Sequence, residues 1–395
     1  MTAAPPPTDR RTEFPLGAAV TIQQLEVDPK PVLAELRRRE PVSWVPALDA
    51  WVVSRRDLAV AAMRDAEAFT VDDPRFTTAA VLGTSMLSLD GPEHERHRSP
   101  FAPAFRPGVL REHFDEFLDA EVAALIDGFE HRTGDLRTGL AGPLAVNTIT
   151  RFLGLEGVSS DEVLEWYQSI SIAITDLTLG NGVAETDAAA VHAVTERVRA
   201  TLDTGESTSL LAAIESSGAL RPEEMGSAAT VLMFGAIETA EGMTANAFWH
   251  LLHTPGAWAR LVEDRTLVAN AIEESLRHEP AASVIDRYTT RDTKLGEVTI
   301  PAGELVTISL IGANHDPEHF RDPHTYDLAR ANARQHVSFV QGPHGCLGLH
   351  LARMETAAAL HAMLDRAPDL SLEPANSAAP RGLIFRKPPT LTAVW

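Results

Sequence analysis

Phe339-Val340-Gln341-Gly342-Pro343-His344-Gly345-Cys346-Leu347-Gly348 holds the only cysteine of a 395-residue chain, set among three glycines. A lone cysteine excludes an internal disulfide and a multi-cysteine zinc cluster. Glycines let the backbone fold tightly and approach a large flat ligand that a Cβ would hold off. Backbone N–H groups, with the N-terminus of a helix opening at Leu347, can stabilise a thiolate at such a place. Leu349, Ala352, Ala359, Leu360 and Met363 recur at helical spacing, so Cys346 caps the start of a buried helix over about 346–365.

Phe339, Gly342, His344, Cys346 and Gly348 fill the pattern Phe-x-x-Gly-x-His-x-Cys-x-Gly. This resembles the haem-binding signature of the cytochrome P-450 family. The resemblance implies haem b (iron protoporphyrin IX), with the Cys346 thiolate as axial iron ligand and Phe339 and Gly348 among the residues around the cofactor. A thiolate ligand donates electron density that favours O–O cleavage. Val340 stands where the family most often has glycine. The fold implied is mainly α with small β-sheets, the cytochrome P-450 fold, spanning residues 21–395 as a single domain after a flexible arm at 1–20.

Charge and hydropathy limit the partners. Fifty-five Asp and Glu against 34 Lys and Arg give a formal charge of −21, which disfavours nucleic acid and anionic membranes. Residues 1–17 are Pro-rich and polar, with no signal-peptide core, and the most apolar internal stretch, 228–237, is too short to span a bilayer. A soluble, cytoplasmic protein is expected.

Along the chain, a short helix is expected over 31–39, then two β runs, 42–48 and 51–54, that fit a hairpin. Residues 56–65 read as helical and 66–86 as irregular. From about 108 to 220, Ala/Leu/Glu-rich helical segments are broken at Gly134, Gly157, 180–182 and Gly218. Long helices are expected over 226–252 and 267–278, and short β runs over 298–301, 306–310, 383–385 and 391–395.

Three further constellations bear on the resemblance. Glu274 and Arg277, three apart on one helix face, can pair. They resemble the family's buried Glu-x-x-Arg, whose later partner falls here on Arg330 after 320–327, a structural set. Thr239 can bond the carbonyl of Gly235 one turn back and open a polar notch in the long helix. Glu238 and Thr239 resemble the family's acid–alcohol pair that relays protons during dioxygen activation; Ala236 and Ala240 replace a usual glycine and a frequent threonine. Third, buried haem propionates need paired donors. His94 and Arg98 share a helix face and resemble the family's propionate-binding His-x-x-x-Arg, with Arg287 and His344 completing the set.

The activity implied is a haem-thiolate monooxygenase, inserting one oxygen atom from O2 into an organic molecule, fed by a ferredoxin and its reductase. An oxidative coupling enzyme of natural-product biosynthesis uses the same scaffold and stays open by analogy. A peroxide-using relative would normally lack the acid–alcohol pair, and a non-enzymatic haem carrier would have no need of it. By the same resemblance the substrate pocket draws on Met86, Leu87, Phe234, Ile237, Val284, Ile285 and Phe385, with Ala282 and Ile384 beside them. These are mostly apolar, which suits a mainly hydrophobic small molecule. Natural-product tailoring and aromatic catabolism both fit. Glu241, a turn past Glu238, either lines that pocket or solvates its helix.

Overall fold

The computed structural model describes residues 9–155, 157–178, 185–203, 209–215 and 218–395. It is helix-dominated and divides into two units. One unit comprises Met1–Thr70, Glu273–Gly345 and Pro380–Lys387; the other comprises Val71–Ile272, Cys346–Ala379 and Pro388–Trp395.

The first unit is built on a sheet. Val42–Val45 and Ala50–Val53 form the expected antiparallel hairpin, with Asp49 in the left-handed region at φ 49° in its turn, a conformation aspartate tolerates. Val53 and Trp51 then align with Ile308 and Val306 of the parallel strand Leu305–Ser309, which pairs antiparallel with Val284–Thr289. Phe69–Thr70 closes the five-stranded sheet against Tyr288 and Thr289. Alternate side chains of these strands reach one face, where Val42, Trp51, Val53, Val306 and Ile308 pack on Leu58, Ala62 and Met63 of helix Arg56–Arg64. Within the stretch read as an arm, Arg10–Glu13 and Pro15–Ala18 are short helices, and Phe14 between them is buried with its ring edge-on to Trp51 at 5.1 Å. Burying one phenylalanine supplies roughly 2 kcal/mol of transfer free energy, enough to order so short a segment.

The second unit is a set of packed helices. The longest, Pro222–His253, starts four residues before its expected first residue because Pro222 suits the first helical turn. It packs against Gly142–Leu153, Glu185–Asp203 and the cysteine helix Leu349–Arg366. Thr244 and Thr356 hydroxyls, both buried, bond each other at 2.9 Å and tie the long helix to the cysteine helix. A three-stranded sheet of Thr133–Asp135, Leu391–Val394 and Ser371–Ser377 edges this unit.

Several local expectations are corrected. Residues 66–86, read as irregular, contain Phe69–Thr70 and the helix Thr77–Leu82. The break at Gly134 is a short strand, and Ser371–Ser377 is a strand not anticipated. Around 383–385 only Phe385 is bridged, to Ala282. The cysteine helix opens at Leu349, with Gly348 as its N-cap, two residues later than expected. The expected break at 180–182 lies outside the described residues.

Candidate functional site

Cys346 precedes the cysteine helix by three residues. Its side chain is exposed on one side, while protein atoms crowd the other. That surround pushes the thiol up from its ordinary value by desolvation; hydrogen bonds from the Gly348 and Leu349 N–H groups, with the Arg98 and Arg353 guanidiniums, work the other way. Burial wins in the protein alone, so a metal cation is what would bring the sulfur to a thiolate.

The loop before Cys346 owes its shape to two left-handed residues, Val340 at φ 61° and Gly342 at φ 78°. A Cβ on Gly342 would lie 2.5 Å from the Met63 carbonyl oxygen and 3.0 Å from Arg64 Cα, both backbone atoms that cannot swing aside. Gly342→Ala is therefore expected to cost on the order of 2 kcal/mol or more. Val340 adopts its φ at a strain of roughly 1–2 kcal/mol, which its half-buried packing offsets. Val340→Gly should thus melt close to the parent although it deletes a branched apolar side chain. Thermal melting of both variants is the check; a Gly342→Ala protein melting with the parent would refute the close approach.

Helix Gly91–Arg98 carries His94, buried, and Arg98, half-buried. Desolvation lowers the Arg98 guanidinium from its ordinary value, and the nearby Cys346 sulfur counters that. The helix is clamped to the start of the long helix by Arg96, whose Nη1 and Nη2 donate to Glu224 Oε2 and Oε1 at 3.0 and 2.7 Å. This fork holds the Glu224 carboxyl far below the usual carboxylate range. In a run of six charged residues and histidines, 93–98, nothing in the sequence marks Arg96 from its neighbours.

Midway along the long helix, Thr239 Oγ1 donates to the Gly235 carbonyl at 2.5 Å, the bond expected from its spacing. Gly235 is exposed in a helix otherwise largely buried, and a Cβ there would meet nothing within 4 Å. A polar notch is thus open on this face. Glu238, half-buried beside it, accepts a hydrogen bond from the hydroxyl of Tyr167 on helix Ser160–Thr178. Tyr167 is a second residue that sequence alone does not reveal. Glu241 is buried and paired with Arg137 Nη1 at 2.8 Å, and Arg137 Nε donates to the Pro389 carbonyl at 3.0 Å. Its role is an internal ion pair rather than a solvated face.

Of the remaining pocket candidates, Met86, Phe234 and Ile237 are buried in this same unit and Leu87 is exposed. Val284, Ile285 and Phe385, all half-buried, belong to the other unit, as do Arg287, Phe339 and His344. Arg287 is buried there with its Nη1 on the Asp286 carbonyl at 2.7 Å, and Phe339 lies 5.8 Å from the His336 ring. The same unit holds Glu274, Arg277 and Arg330 as one buried cluster: Arg277 Nε and Nη2 reach Glu274 at 2.7 and 2.8 Å, and Arg330 Nε reaches it at 2.9 Å. The expected structural triad is present.

A thiolate-bound haem suits what the larger unit offers. The single soft donor, Cys346, is accessible, has two N–H donors on its sulfur and a cation beside it; Gly235 leaves open space on the long helix. Among the described residues no helix is long and apolar enough to cross a membrane.

Comparison with known proteins agrees. The family model described as Cytochrome P450 matches residues 181–367. The chain is 32% identical over 389 residues to cytochrome P450 monooxygenase PikC of Streptomyces venezuelae, covering 94% of this chain and 90% of the relative. It is 33% identical to nocardicin C N-oxygenase of Nocardia uniformis subsp. tsuyamanensis, covering 98% and 99%. Among solved structures, ligand-free CYP164A2 of Mycobacterium smegmatis superposes with a TM-score of 0.83 at 28% identity, over 94% of this chain and 98% of that one.

Proposed function

The chain belongs to the cytochrome P450 family, and from that membership we propose that it oxygenates a mainly hydrophobic small molecule with electrons from a ferredoxin and its reductase. It is a monooxygenase of the haem-thiolate class. When bound, the haem supplies the reduction of O2 by two electrons, one oxygen atom entering the substrate and the other leaving as water.

Cys346 would hold the iron of haem b through its sulfur, with Phe339 and Gly348 in the loop around it. His94 and Arg98 take one set of propionate contacts, and Arg287 and His344 are assigned the rest on the sequence pattern. The observation that carries the proposal is Cys346 itself: an accessible sulfur, accepting from Gly348 and Leu349 N–H, next to Arg98.

Thr239 Oγ1 has committed its one proton to the Gly235 carbonyl. Its lone pairs therefore face outward, and it orients a water by accepting from it. Glu238 is the carboxylate through which protons pass on to that water. Met86, Leu87, Phe234, Ile237, Val284, Ile285 and Phe385 are proposed to shape the substrate pocket, and their apolar character sets its preference. Because one relative is named as an N-oxygenase, nitrogen as well as carbon counts among the positions to test.

The decisive experiment compares Thr239→Ala with Glu238→Gln. Substrates are first found by the spectral shift that their binding produces in the holoenzyme. Thr239→Ala leaves an apolar pocket of nearly unchanged shape, so binding survives. Protons arrive less well, and general acid delivery is worth about 10²–10⁴-fold in rate. NAD(P)H oxidation then continues while product falls and hydrogen peroxide appears. Glu238→Gln instead slows NAD(P)H oxidation. A Thr239→Ala enzyme as well coupled as the parent would remove that hydroxyl from the reaction. Product mass separates oxygenation, plus one oxygen, from oxidative coupling, minus two hydrogens.

A further inference from the structure

We propose that Tyr167 is a positioning residue that ties the aromatic wall at Phe234 to the orientation of Glu238, a role resting on Glu238 being the acid of the relay. Its hydroxyl donates to Glu238 Oε2. Its ring lies against Phe234 at a centroid distance of 6.0 Å and an interplanar angle of 31°. The phenol is thus held at two points by the long helix, though it comes from helix Ser160–Thr178.

Phe234 and Glu238 are four apart and so share one stripe of the long helix. A phenol laid along that stripe can touch both at once. A glutamate left to itself spreads over several rotamers, and ordering such a side chain costs up to roughly 2 kcal/mol in lost freedom. The Tyr167 hydroxyl supplies that ordering through a charge-assisted bond to one carboxylate oxygen, which fixes the direction of the other. Thr239 is the next residue in the chain, so the carboxylate direction decides how a proton passes towards the notch at Gly235. Phe234 sets where the phenol stands. A molecule that presses on the Phe234 ring displaces the Tyr167 ring with it, and the hydroxyl carries the displacement to Glu238. Pocket occupancy and acid orientation are coupled by one side chain.

The chain has three tyrosines, which makes the contact directly observable. In holoenzyme labelled with ¹³C at the tyrosine ring carbon bearing oxygen, held in the diamagnetic ferrous–CO state, three signals are expected. Tyr167→Phe deletes one and so assigns it. Glu238→Gln should move that signal and leave those of Tyr288 and Tyr326 in place. The second readout is the rate at which NAD(P)H, through a surrogate ferredoxin and reductase, reduces dioxygen with no organic substrate added, measured in H2O and D2O. Tyr167→Phe should slow it about tenfold and raise the solvent isotope effect, a fraction of what general acid delivery provides. The double variant should be no slower than Glu238→Gln alone, since the two residues act as a unit. A Tyr167 signal indifferent to Glu238→Gln overturns the proposal. So does a Tyr167→Phe enzyme with the parental rate and isotope effect beside a slow Glu238→Gln enzyme: Tyr167 would then only pack, and the relay would stand. An inert Glu238→Gln sinks the relay itself, and this proposal with it.

Discussion

Cys346→Ser yields a folded protein that has lost most of its haem and all of its thiolate-type spectrum. The parent, purified, is expected to be red, with a ferrous–CO band near the position typical of thiolate ligation. Serine is close to isosteric with cysteine, so the turn and the helix Leu349–Arg366 are undisturbed and circular dichroism should match the parent. What changes is the donor. A serine hydroxyl is a harder, far weaker acid, and the two N–H bonds from Gly348 and Leu349 with the Arg98 charge do not make it an alkoxide. Cysteine is itself pushed towards the neutral thiol by its surroundings. An incoming iron would deprotonate a thiol outright, whereas a serine oxygen is a harder and poorer match for it. Without the axial bond, retention falls to the propionate and apolar contacts, which leave haem free to exchange. Haem-to-protein ratio after gel filtration and the ferrous–CO spectrum are the measurements. A Cys346→Ser protein that kept both haem and the thiolate-type band would show that the ligand lies elsewhere.

That Cys346 was legible from sequence, and Tyr167 was not, follows from how far each signal reaches. The five fixed positions from Phe339 to Gly348 fall within ten consecutive residues, and the left-handed φ of Gly342 is a local signal, although its close approach to Met63 and Arg64 is not. The Thr239 bond to Gly235 is likewise set by helix geometry, one turn back, and needs no neighbour. The hairpin at 42–53 and the long helix carry their own periodicity. By contrast, Phe69–Thr70 is a strand only because Tyr288 and Thr289, far along the chain, are beside it. Two residues hold no period to read. Thr133–Asp135 is the same case, paired with Thr392, Ala393 and Val394. Ser371–Ser377 is largely exposed and contains Pro374, so it lacks the alternation that marks a strand. Tyr167 shares a helix face with the buried Val163 and Ile170 and reads as one more packing residue, while Arg96 stands in a charged run; their partners Glu238 and Glu224 are chosen by packing between helices. The early helices at Arg10–Glu13 and Pro15–Ala18 were missed for a related reason. Their order comes from Phe14 finding Trp51, a tertiary contact.

The cluster of Glu274, Arg277 and Arg330 makes the second large prediction, and its order of severity follows from counting donors. Arg277 and Glu274 are fully buried, and Arg330 nearly so. All five N–H donors of Arg277 are used: Nε and Nη2 on Glu274, Nη1 on the carbonyls of Asn314 and Pro323, and Nη2 again on the Thr325 carbonyl. Glu274 Oε1 also accepts from Arg330 Nε and from the Asp327 N–H. Removing one partner of a buried ion pair costs about 3–5 kcal/mol because the other charge is stranded. Against a total stability of about 5–15 kcal/mol, that is enough to empty the folded state in cells. Glu274→Ala strands two guanidiniums and is expected to give almost no soluble holoprotein. Arg277→Ala leaves Glu274 with Arg330 and the Asp327 N–H, yet orphans two carbonyls that nothing else is seen to reach, and should be nearly as severe. Arg330→Ala should be the mildest, since Arg277 still neutralises Glu274 and still serves Thr325. Arg277→Lys tests whether charge alone suffices. An ammonium is one compact centre with no planar fork, so it cannot reach Glu274 and the Asn314 and Pro323 carbonyls together, and each carbonyl left without a donor costs about 1–3 kcal/mol. Lysine should therefore resemble alanine more than the parent. The measurements are soluble yield, haem content and melting temperature across the four variants. An Arg277→Lys protein with parental yield and melting temperature would mean that charge neutralisation, and not the five-point fork, is what holds this cluster together.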